Sequence, residues 1–227
     1  YAEKNEESHW RNKDSWPILI MTLGRSSLPI EIQKLIIAFS SLPGIGPKTA
    51  QRLTFYVLSQ NADETLKLSD ALRDVKNNLS YCQNCFFITN EESKNSCSFC
   101  IDKDTSLICV VESIVDAITI EMSGIHSGSF HILHGSISPM NGIGPENLKI
   151  DELIKRINNK LPKEIILATN PTLEGEATSM YLSNFIKDNY KDIKVTKLAK
   201  GLASGTDLEY SDFNTLSNAF ENRTNIN

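Results

Sequence analysis

Apolar positions between Leu28 and Leu79 recur at helical spacing, with Ile32, Leu35, Ile36 and Phe39 on one face and Leu68, Ala71, Leu72, Val75 and Leu79 on another. The pattern predicts a helical region in which the stretch SSLPGIGPKTAQRLTFYVL lies between the two faces. From about Tyr81 to Asp102 the chain turns polar and loop-like around paired cysteines, an insert too small for an apolar core of its own. Beyond it, short β-type runs alternate with helical stretches: LICVVE (107–112), FHILHG (130–135), EIILAT (164–169) and IKVTKLA (193–199). Strands separated by helices predict a parallel sheet covered on both faces. The expected class is therefore α+β in several parts: a helical N-terminal region, a cysteine loop, and a C-terminal α/β domain with a parallel sheet.

Residues 1–27 hold both tryptophans without a sustained period and begin with Tyr1, so they read as an extension, disordered or non-native, with Met21 as an alternative start. With 40% hydrophobic residues in 227, the chain can bury a core in one domain or a few small linked ones. No apolar run approaches the roughly 20 residues of a membrane helix, and the opening is polar, so a cytoplasmic protein is expected. The net charge of −5 argues against coating nucleic acid through bulk positive charge. Any such contact must come from a local patch.

Cys82 and Cys85 form one Cys-x-x-Cys pair and Cys97 and Cys100 another, eleven residues apart. Each pair presents two sulfurs from one turn, and two turns complete a tetrahedral zinc shell. A closed shell leaves no position for a reactive water, so one structural zinc per chain is expected, with two disulfides or four free thiols as the alternatives. Cys109, inside LICVV, reads as a core residue.

In LPGIGPKTAQRL, Gly44 and Gly46 permit a tight turn and Pro47 suits the first position of a helix. The exposed amides of that helix start would seat a phosphate. Lys48 and Arg52 share one face of it, while Ala50, Leu53 and Val57 lie on the other. The plain alternative is a glycine turn with incidental surface charges. The segment resembles the helix-hairpin-helix motif, which grips the DNA backbone without reading sequence. A second GIGP, at residues 142–145, leads into Glu146 and Asn147 rather than a basic helix and reads as a loop.

Glu112 ends the first strand-like run and Asp116 follows one turn later, while EIILAT is followed by Asn170-Pro171-Thr172 and then Glu174 and Glu176. Parallel sheets bind ligands at such carboxyl ends of strands. This part looks like a Toprim domain, whose catalytic members hold magnesium with a glutamate and a later D-x-D pair. Here that pair reads Asn170 and Thr172, so magnesium is expected to bind weakly or not at all. The four acids are candidates for a weak acidic site or a partner surface, or are simply charges at strand ends and helix starts.

In this order the three parts are similar to the RecR family of bacterial recombination mediators, on LPGIGPKTAQRL, the two cysteine pairs, HGSISPMNGIGPENL and ILATNPTLEGEAT. The segment KGLASGTDLEY departs from the family pattern at Ala203 and Ser204. The resemblance implies a helix-hairpin-helix domain over 28–80, a four-cysteine zinc finger over 81–102, a Toprim domain over 103–200 and a C-terminal segment over 201–227. It further implies a protein without catalysis, forming dimeric or tetrameric rings or clamps on DNA. Such a protein would act with RecO and RecF to help load RecA on gapped or single-stranded DNA. Gly44, Gly46, Lys48 and Arg52 would carry the DNA contact. Glu112, Asp116, Asn170, Glu174 and Glu176 would form the Toprim surface facing DNA or a partner. The rival reading is a magnesium-dependent nuclease or topoisomerase-like enzyme built on Glu112.

Overall fold

The computed structural model describes residues 28–202, 204–205 and 207–223 and divides into two compact units at Lys76/Asn77. The extension read over residues 1–27, with Met21, and the departure at Ala203 lie outside the described residues.

The first unit contains α1 (Ile30–Ser40), α2 (Pro47–Ser59) and α3 (Ala62–Asn77, whose last residue crosses the divide). α1 and α2 pack together, burying Ile36, Ala50 and Thr54. The Thr54 hydroxyl donates to the Ala50 carbonyl at 2.9 Å, so the one polar group in this contact is satisfied. Asn61 starts α3 by accepting the Glu64 amide at 2.9 Å, with Asp63 and Glu64 in its first turn and Lys76 in its last, as the helix dipole favours. Of the apolar face expected from the periodicity, Leu68, Ala71, Leu72 and Val75 lie on α3, whereas Leu79 falls beyond the helix in the strand Leu79–Tyr81; Leu68, Leu72 and Val75 are exposed, and the helix buries no residue.

The second unit opens with a two-stranded antiparallel ribbon, β1 (Leu79–Tyr81) and β2 (Ile88–Asn90). It continues through β3 (Asp104–Val111), α4 (Ile114–Met122), β4 (Gly128–Ile132), α5 (Ile150–Asn159), β5 (Glu164–Leu167), α6 (Leu173–Asn189), β6 (Lys194–Lys197) and α7 (Phe213–Glu221). The four later strands form a parallel sheet in the order β4-β3-β5-β6, with Cys109 of β3 opposite Phe130 and Ile166. β3 starts three residues before LICVVE, and its register against β4 shifts between Asp104 and Ile108, an irregularity that apolar alternation does not mark.

Strand alternation sorts the core into two layers. Ile108 and Val110 face Ile150, Leu153 and Ile157 of α5 and Leu182 and Ile186 of α6. Cys109 and Val111 join Ala117 of α4, Phe130 and Ile132, together with Phe86, Phe87 and Phe99 from the cysteine loop. The loop, too short for its own core, thus lends its aromatic rings to the sheet. Among the described residues no helix is long and apolar enough to cross a membrane.

Candidate functional site

The β1–β2 ribbon carries the first cysteine pair at its tip, where the Cys82 amide donates to the Phe87 carbonyl at 2.8 Å and the Phe86 amide to the Cys82 carbonyl at 2.9 Å. Phe86 turns the chain with φ of 64°, in the left-handed region. The second pair is closed by the Cys100 amide donating to the Cys97 carbonyl at 2.9 Å.

All four sulfurs lie within 4.8 Å of one another, with Cys82 and Cys100 3.9 Å apart and Cys85 and Cys97 3.5 Å apart. A disulfide would need about 2.05 Å. Four sulfurs about 2.3 Å from a central zinc stand about 3.8 Å apart along each tetrahedral edge, so the observed spacings fit a divalent soft metal. Cys82, Cys85 and Cys97 are buried and Cys100 is half-buried. Hydrogen bonding from Cys85 draws the Cys100 thiol down to about 6, while the same bond and burial push Cys85 upward and burial pushes Cys97 up to about 11. Among the described residues these cysteines are the one group of three or more metal-ligating side chains. Cys109 stands apart in the sheet core, its thiol raised to about 12 by burial.

In the first unit, only Gly44 of the two hairpin glycines needs its freedom, with φ of 76°; Gly46 has φ of −79°, which any residue adopts. A side-chain carbon added at either position meets nothing within 4 Å. Gly46 is the N-cap of α2, no side chain caps that end, and Pro47 fills the first turn. Lys48 and Arg52 are exposed on α2 on the side away from Ala50. Among the described residues neither makes an ion pair.

The five candidate residues at the carboxyl end of the sheet do different jobs. Glu112 is buried beyond β3 and accepts two hydrogen bonds from Asn170, beyond the adjacent β5. Gly175, in the first turn of α6, lies against this pair: a side-chain carbon there would fall 2.5 Å from Glu112 Oε1. Asp116 closes a capping box at the start of α4, accepting the Ser113 amide and hydroxyl at 2.9 and 2.7 Å. Glu176 pairs with Lys200 at 2.8 Å and with Lys197 at 3.8 Å, and the Lys200 bond holds its carboxyl below the usual range. Glu174 is half-buried in the first turn of α6. The acids do not converge on one point.

Three residues near these sites escaped the reading of the sequence. His131, fully buried in β4, donates from Nε2 to the Lys149 carbonyl at 2.7 Å, and its ring meets Phe86 edge-on. His134 donates to the Phe86 carbonyl at 2.9 Å. Arg156 of α5 donates to the carbonyls of Asn84 and Phe130. The signal for Arg156 is its place three residues after Leu153, flanking the apolar stripe of α5.

Comparison with known proteins supplies the kinship. A family model described as RecR, helix-hairpin-helix matches residues 32–76, and one described as Toprim domain matches residues 106–199. The recombination protein RecR of Staphylococcus saprophyticus is 50% identical to this chain over 200 residues, covering 87% of the chain and 98% of that relative. The recombination protein RecR of Staphylococcus aureus (strain Newman) is likewise 50% identical over 200 residues, with the same shares covered.

Proposed function

The chain belongs to the RecR family, and from that premise we propose that it is a DNA-binding recombination mediator that works without catalysis. It holds DNA through the hairpin between α1 and α2 and helps load a RecA-type recombinase on gapped or single-stranded DNA, with RecO and RecF as partners. The observation that carries this reading is the start of α2. An uncapped helix end stands beside two open glycines and two exposed cations without ion pairs among the described residues. Such a surface takes a phosphate and ignores the base.

One zinc per chain is the proposed occupant of the four cysteines, held by thiolates on both knuckles and serving to fix the loop against the sheet. The absence of chemistry is supported by the sheet rim: Asn170 and Thr172 replace the acidic pair, and Asn170 occupies both oxygens of Glu112. Assembly with further copies is supported by the exposed Leu68, Leu72 and Val75 of α3 and by Phe213 and Phe220 of α7.

The test is binding of zinc-loaded protein to gapped DNA across a salt series, for the parent and for Lys48→Ala with Arg52→Ala. Losing two phosphate contacts should weaken binding at low salt and flatten the logarithmic salt slope by about 2. Unchanged affinity would remove the hairpin from the mechanism. Magnesium-dependent cleavage of the same DNA, abolished by Glu112→Gln, would favour the enzyme reading instead.

A further inference from the structure

Arg156 carries a full positive charge to the foot of the cysteine site without a carboxylate to meet it. Its guanidinium donates to the Asn84 carbonyl at 3.2 Å, the Phe130 carbonyl at 2.6 Å and the Ser129 hydroxyl at 2.6 Å, all neutral acceptors. Among the described residues no acid lies within ion-pair distance of it, and Glu152, one turn earlier on α5, pairs with Lys149 at 3.2 Å instead. A half-buried cation in this position needs a nearby negative charge to offset its lost hydration.

The cysteine cluster is a source of it, reached through Asn84. Asn84 sits between Cys82 and Cys85, and its side-chain amide lies 3.9 Å from Cys100 Sγ. Burial draws the Arg156 guanidinium below its ordinary range, and negative charge on Cys100, Cys85 and Cys82 would act the other way. Four neutral thiols would offer it nothing. Four thiolates around a divalent ion carry a net charge of about −2, by the charges of the ligands and the metal.

We propose that Arg156 is the countercharge of the metal-bound cysteine site, a positioning residue that fixes the first knuckle through Asn84 and offsets the excess negative charge of the thiolates. The inference rests on the zinc reading. It assigns one arginine two duties: its planar fork anchors the knuckle to β4, and its charge holds the metal.

These duties separate by substitution. Arg156→Gln keeps a donor and removes the charge, whereas Arg156→Lys keeps the charge and loses the fork. The full chain, loaded with zinc, is titrated with a chromogenic chelator of known affinity, and thermal unfolding of the loaded forms is followed in parallel. The glutamine variant should bind zinc about 10–100-fold more weakly than the parent, as loss of an outer partner of a metal site does, and the lysine variant only a few-fold more weakly. Both should lose thermal stability. Equal zinc affinity in the glutamine variant and the parent, with stability lost, would make Arg156 a packing residue and overturn the proposal. Equal losses of affinity in the two variants would overturn it as well. If the glutamine variant does not fold, the lysine variant decides: a few-fold loss supports the countercharge, a tenfold or larger loss refutes it. A parent that takes up no zinc fails the metal reading itself, which the same titration shows separately.

Discussion

Asn170 donates its backbone amide to Glu112 Oε1 at 2.7 Å and its side-chain amide to Glu112 Oε2 at 3.1 Å, so one residue engages both oxygens of the buried carboxylate. This joins the carboxyl ends of β3 and β5, the place where parallel sheets present their ligands. Asn170→Asp turns the second donor into an acceptor carrying the same charge as Glu112. The variant should lose about 1–3 kcal/mol of stability near neutral pH, from an unmet buried acceptor and like-charge repulsion. Urea unfolding of the parent and the variant, without divalent ions, measures it; equal midpoints would mean that the amide contributes nothing.

Gly175 tests the same joint sterically. A methyl group there would fall 2.1 Å from the Asn170 carbonyl oxygen and 2.5 Å from Glu112 Oε1, and the carbonyl cannot swing aside as a side chain could. Gly175→Ala should therefore cost about 1–3 kcal/mol despite the helix preference for alanine, as overpacking of a filled interior does. A stabilised variant would show that the turn before α6 yields freely.

His131 makes stability depend on pH. Burial lowers its pKa to about 3 from an ordinary value of 6.5, so the folded protein keeps the ring neutral where the unfolded chain would protonate it. Its contribution is complete above the unfolded value and is lost as pH falls through 6.5 toward 3. Between about pH 7 and about pH 5 the loss should reach about 2 kcal/mol. His131→Gln, which can still donate to the Lys149 carbonyl, should lose less over that interval than the parent. Parallel pH profiles for the two would show that the ring does not titrate on unfolding.

The metal site has a built-in control in Cys109. Metal analysis of the parent should give one zinc per chain. Cys97→Ser should lower zinc retention against a chelator, because a hydroxyl replaces a thiolate ligand. Cys109→Ala, in the sheet core, should leave retention unchanged. A parent stripped of zinc should unfold at a lower temperature, since binding of the metal contributes to folding.

Much of this architecture is legible in the sequence where one pattern dominates. LICVV and EIILA mark β3 and β5 because both faces of a parallel strand are buried, and the cysteine spacing marks a metal site before any coordinates. The resemblance to RecR lies in local phrases such as LPGIGPKTAQRL and not in periodicity. Long-range pairings left no such trace. Asn170 and Glu112 are 58 residues apart, and Arg156 and Asn84 are 72 apart, so neither bond has a spacing to read. Asp116 and Glu176 looked equivalent to Glu112 because sequence shows an acid and not its partner; in the fold one caps α4 and the other pairs with lysines. The face of α3 is written clearly, but periodicity does not say what covers it.

Phe87 and Phe99 stack at 4.1 Å with their rings 2° from parallel, and Phe99 also meets Phe130 of the sheet at 5.1 Å. The same two rings line the sulfur cluster and the core beneath the sheet. The knuckles and the sheet should therefore melt together, and removing zinc should loosen amides in β4 as well as in the loop. Hydrogen exchange would register the two segments opening together, as one cooperative unit.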